Sequence, residues 1–171
     1  FQLYLSELFG VDIIFTDIFD AECIQQNDFV LLLLQCEDKK QLIRKFNFVS
    51  DFSEQQIHIV QDIDNSSGSV AILNFLYNVG QKLDIKQNQE VFDQIRNKKS
   101  IQSISIVQLL HEKYATMQIQ EGLQPMNMGQ ATQFVMLQYT GSKLLLFDGL
   151  QPSPMECAVQ SAQQVINLIL E

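Results

Sequence analysis

The chain has 171 residues, 46% hydrophobic and 18% charged, which suits one domain with a buried core and excludes a disordered chain. Its formal net charge of −9 argues against a nucleic-acid ligand, which wants a basic stripe on one face, and suits either basic partners or plain solubility. Cys23, Cys36 and Cys157 are odd in number and widely spaced, so neither a disulfide framework nor a zinc site is expected.

Three reduced, mostly buried thiols fit an intracellular setting, the cytoplasm first and an organellar or cytoskeletal assembly second. No cofactor and no metal is expected. The chain opens on Phe1 rather than Met, which leaves room for a preceding segment.

In chain order, residues 3–9 place Leu5, Leu8 and Phe9 at helical spacing, and Gly10 is a plausible stop. Residues 11–19 read as an extended or short helical link. Residues 29–34 are an unbroken Phe/Val/Leu run bracketed by Asp28 and Glu37, far too short for a bilayer and expected as a strand covered on both faces. Residues 39–46 read as a short charged helix or loop, and 57–61 as a second strand.

A polar turn over 62–68 then leads into a helix, because Val70, Leu73 and Tyr77, with Ile72, Leu76 and Val79, recur at helical spacing up to Gly80. Further helices are predicted over 91–95 and 101–114, and a loop over 120–129. Residues 134–139 and 144–147 are apolar strands separated by Thr140-Gly141-Ser142-Lys143, a hairpin signal. Pro152 and Pro154 act as breakers, and 157–170 is predicted as a last helix with Ala158, Ala162, Val165 and Ile169 inward. The sum is a single α+β domain over 1–171, an antiparallel sheet flanked by helices.

The polar turn is the first place to seek a site, since helix N-terminal amides favour negative charge and would stabilise an anionic nucleophile. Asn65, Ser66 and Ser67 are also preferred capping residues, and capping is their ordinary role. Two histidines are available as bases. His58 lies three positions before Gln61, so alternation points it to the opposite face, and His111 is expected on the surface of a helix.

The segment Gln61-Asp62-Ile63-Asp64-Asn65-Ser66-Ser67-Gly68-Ser69 resembles the strand-to-helix motif of the ubiquitin C-terminal hydrolases, in which a glutamine precedes a nucleophilic cysteine by six positions. Phe147-Asp148-Gly149-Leu150-Gln151-Pro152-Ser153-Pro154 is similar to the family's aspartate segment. Phe15-Thr16-Asp17-Ile18 and the 29–34 run resemble two upstream segments in the same order. The resemblance implies a papain-like cysteine-protease fold with helices on both sides of the sheet. It places Gln61 at the oxyanion position, Ser67 at the nucleophile, Gln133 at the general base, Asp148 at the orienting acid and Asp17 at a contact with the ubiquitin tail. The family's strand after the last helix has no counterpart here.

Serine ionises far less readily than cysteine, and an amide at 133 cannot shuttle a proton. The resemblance therefore implies a pseudoenzyme serving as a structural or interaction subunit of a larger protein assembly. Asp148 is expected to accept a hydrogen bond from the Gln133 amide. The alternative is a module that binds ubiquitin or a ubiquitin-like protein without cleaving it. The 118–130 loop looks too short and plain to thread a tail, which favours the first. An active deubiquitinating thiol hydrolase carrying an introduced Cys-to-Ser change would explain Ser67 but not Gln133. No nucleic-acid partner and no membrane span are expected.

Overall fold

A computed structural model describes residues 2–16, 18, 20–26, 28–49, 56–79, 86–102, 104–120 and 132–170, with the backbone alone described for 115–120. Among the described residues, six helices and five strands follow one another as α1 (Gln2–Phe9), β1 (Phe29–Gln35), α2 (Cys36–Ile43), β2 (Asn47–Phe48), α3 (Ser67–Val79), α4 (Gln89–Lys98), α5 (Ser105–Gln120), β3 (Thr132–Tyr139), β4 (Lys143–Phe147), β5 (Met155–Ala158) and α6 (Ala162–Leu170). A short 3₁₀ turn, Ala21–Cys23, precedes β1 and is capped by the Asp20 carboxylate.

The strands form one antiparallel sheet in the order β1-β3-β4-β5-β2. Side chains alternate across a strand, and both faces of this sheet are apolar. Phe29, Leu31, Phe134, Met136, Leu145 and Phe147 pack toward α1, α3, α4 and α5. Val30, Val135, Leu137, Leu144 and Leu146 pack toward Leu42 of α2, Val165 of α6 and Ile24. Covering both faces with helices explains why β1 and β4 are unbroken apolar runs instead of alternating ones. β1 nonetheless sits at the sheet edge and leaves Leu33 exposed.

Residues 57–61 are extended but join no strand ladder. The backbone groups of Ile57 and Ile59 are satisfied by a helix. Asn74 accepts from the Ile59 amide at 2.8 Å and donates to the Ile59 carbonyl at 3.2 Å, while Asn78 accepts from the Ile57 amide at 3.1 Å and donates to its carbonyl at 2.7 Å. Four residues of helix rise about 6 Å and two of extended chain about 6.6 Å, so amides one helical turn apart match alternate residues of an antiparallel extended segment. Ile57, His58 and Ile59 are all buried, so the apolar residues at 57 and 59 report burial of the segment and not a sheet partner.

The C-terminal region also differs from expectation. Residues 155–158 form β5, pairing with β4 on one side and β2 on the other, so the last helix starts only at Ala162 and Ala158 is an exposed strand residue. Helical spacing of small residues cannot distinguish a strand followed by a short helix from one longer helix. α2 begins at Cys36, earlier than expected, directly off β1. Residues 118–120 belong to α5, and the rest of the predicted 120–129 loop lies outside the described residues, as does Gly80. Cys23 is exposed and Cys36 and Cys157 are half-buried, all three free, against the expectation of mostly buried thiols. No described helix is long and apolar enough to cross a membrane.

Replacing Asn74 with Ala would strand the buried amide and carbonyl of Ile59, each worth about 1–3 kcal/mol when left without a partner. Chemical denaturation is expected to show a loss of roughly 2–4 kcal/mol, with the midpoint shifting and little change in slope.

Candidate functional site

At the start of α3, Asn65 adopts a left-handed backbone (φ 59°), and the turn closes with the Ser66 amide donating to the Ile63 carbonyl at 3.3 Å. Ser66 is fully buried. Its hydroxyl donates back to the Ile63 carbonyl at 2.6 Å instead of capping α3, while its own carbonyl accepts the first helical bond from Val70 at 2.9 Å. Ser67 is the first helical residue, and its hydroxyl oxygen accepts from the Phe134 amide of β3 at 3.3 Å.

Gln61 reaches the same corner from the extended segment. Its backbone amide donates to the Gly149 carbonyl at 2.8 Å, an approach that only a glycine permits. A Cβ at 149 would stand 2.7 Å from Val70 Cγ1 and 3.0 Å from Gln61 Cβ. The Gln133 side chain donates from Nε2 to Gln61 Oε1 at 2.7 Å. Segments 72 residues apart thus meet directly, and Gln61, Ser67, Gln133 and the turn after Asp148 share one corner at the edge of α3 and the ends of β3 and β4.

The expected bond from Gln133 to Asp148 is not formed. The Gln133 amide turns to Gln61, and Asp148, which is fully buried, is engaged elsewhere. Lys39 of α2 places its ammonium 3.0 Å from Asp148 Oδ2 and 3.3 Å from Oδ1. The Leu150 amide donates to Oδ1 at 3.1 Å, and the Gln151 side-chain amide lies 3.5 Å from Oδ2. A buried carboxylate needs a counter-charge, and the ammonium satisfies that need more completely than a neutral amide. Asp17 lies outside the described residues.

Lys39 was missed in the sequence, although a signal exists. It shares a helical face with Leu42 and Ile43, three and four positions on, and a lysine on the apolar side of a short helix implies a carboxylate to meet it.

Neither histidine serves Ser67. His58 is buried, stacks on Phe147 at 6.3 Å between ring centroids, and engages the Gln151 carbonyl through Nε2 at 2.9 Å. Burial lowers its pKa, opposed by that carbonyl and by the charge of Asp148. His111 is half-buried instead of exposed as expected, and its Nδ1 contacts the Ser69 hydroxyl at 3.0 Å. Burial lowers its pKa too, opposed by Glu112. The Ser67 hydroxyl therefore has a donor on its oxygen and no imidazole to take its proton.

What the corner offers is hydrogen-bond donors near a helix N-terminus without a described nucleophile–base pair. Such an arrangement can polarise a carbonyl but supplies no proton transfer. Among the described residues no three His, Cys, Asp or Glu side chains gather as a metal site. No protein-family model matches the chain, and no curated protein matches it.

Both imidazoles protonate less readily folded than unfolded, so the unfolded chain binds more protons below the ordinary histidine value of 6.5. Stability from these groups is therefore complete above that value and declines as pH falls through it toward the folded-state values. Thermal unfolding between about pH 7.5 and about pH 5.5 is expected to show a smaller acid-side decline in the His58→Gln, His111→Gln variant than in the parent chain. An unchanged decline would remove the histidines from the account.

Proposed function

We propose that this chain is a pseudoenzyme related to the ubiquitin C-terminal hydrolases, with their papain-like fold, and that it serves as a structural or interaction subunit of a larger protein assembly. The observation that carries the reading is the corner at which Gln61, Ser67 and Gln133 meet. Residues singled out by the family resemblance lie within hydrogen-bonding reach of one another or of adjacent backbone, yet the residue at the nucleophile position is a hydroxyl and that at the base position an amide. Two helical layers on an antiparallel sheet suit the proposed fold.

The substitutions act together. Loss of general acid–base catalysis alone removes about 10²–10⁴ in rate, and a serine nucleophile depends on a base more than a cysteine does. The Gln133 amide donates to the Gln61 carbonyl oxygen, so the side chain at the base position is engaged in orienting its neighbour. These features favour a retained shape over a retained reaction.

A ubiquitin substrate with a fluorogenic C-terminal leaving group is expected to show no turnover above background. Turnover abolished by Ser67→Ala would overturn the proposal. Titration with ubiquitin separates the subunit from the non-cleaving binding module: binding tighter than roughly 100 μM and lost on Asp17→Ala would favour the module, and no detectable binding the subunit.

A further inference from the structure

Asp148 is the most enclosed ionisable group of the corner, with no exposed side-chain surface. Its two oxygens offer about four acceptor positions. Both oxygens lie within reach of Lys39 Nζ, Oδ1 also receives the Leu150 amide, and Oδ2 faces the Gln151 amide. Its acceptor capacity is spent without residue 133.

Position 133 is nevertheless within reach. β3 and β4 pair Met136 with Phe147, and extending that register by one step sets Val135 across from Asp148. Residue 133 then becomes the diagonal neighbour of Asp148, about 7–8 Å away and within range of a long or ring side chain. Lys39 approaches from α2, which packs on the face shared by Val135 and Leu146. An ammonium from a helix and a ring from β3 would compete for one carboxylate.

We propose that Lys39 has replaced an imidazole at position 133 as the cationic partner of Asp148, so that the acid is preserved in place yet unavailable to orient a base. Lys39 is thus a positioning residue for Asp148. The inference rests on the proposed function in naming Asp148 as the former orienting acid and position 133 as the former place of the imidazole. The exchange of partners is tested without ubiquitin, so its failure and the failure of that reading are separately visible.

The test is a cycle of the parent chain, Lys39→Met, Gln133→His and the double variant, followed by thermal unfolding near pH 6 and by NMR titration of the introduced imidazole. Lys39→Met leaves a buried carboxylate unpaired and is expected to lower the Tm by roughly 10 °C. Adding Gln133→His should recover a substantial part of that loss. The imidazole should titrate above the ordinary histidine range in the double variant and not in Gln133→His alone.

If Lys39→Met does not fold, recovery of folding by Gln133→His supports the exchange, and failure to recover while Lys39→Met, Asp148→Asn folds overturns it. Additive Tm changes, or an imidazole that titrates alike with and without Lys39, also overturn it.

Discussion

The seam between residues 57–61 and α3 is the constraint on which the candidate site depends. An extended segment in the interior must satisfy its amides and carbonyls somewhere, and among the described residues no strand pairs with this one. Asn74 and Asn78 supply the missing partner from a helix, aligning the segment against α3 and delivering Gln61 to the corner where its amide meets Gly149. Gly149 in turn fits only because it lacks a Cβ against Val70 and Gln61. Moving any of these groups displaces Gln61 from both Gln133 and the start of α3.

Polar side chains at the corner are held by one another and by adjacent backbone. Gln133 bonds to Gln61, the Phe134 amide holds the Ser67 hydroxyl, and Lys39 holds Asp148. Each of these three side chains keeps a partner, which avoids the folding penalty of a buried polar group left alone, whereas the buried Nδ1 of His58 has none. The two histidines are drawn into other contacts, His58 with Gln151 and Phe147, His111 with Ser69.

Much of this was legible in the sequence where a single local signal sufficed. The unbroken run at β1, the Gly141 hairpin joining β3 and β4, and the apolar spacing of α3 each point to one element, and the structure has them. The family resemblance also singled out Gln61, Ser67 and Gln133 in distant segments, and the fold brings these residues together. What escaped depended on pairing across the chain. Residues 57–61 look like a strand because apolar residues stand at 57 and 59, while the backbone of both is paired with a helix and His58 between them is buried as well. β5 is hidden by small residues at helical spacing. Lys39 finds Asp148 from 109 positions away, and nothing local announces that partner, so the expected bond from Gln133 went to the wrong acceptor.

The central claim is that position 67 has no base. A thiol introduced there by Ser67→Cys reports on this directly through its rate of alkylation by iodoacetamide as a function of pH, with modification mapped by mass spectrometry to distinguish it from Cys23, Cys36 and Cys157. The account predicts that reactivity rises with a single thiol-type ionisation and is unaffected by His58→Gln or His111→Gln. A reactive plateau that persists into acid and collapses when either histidine is replaced would contradict it.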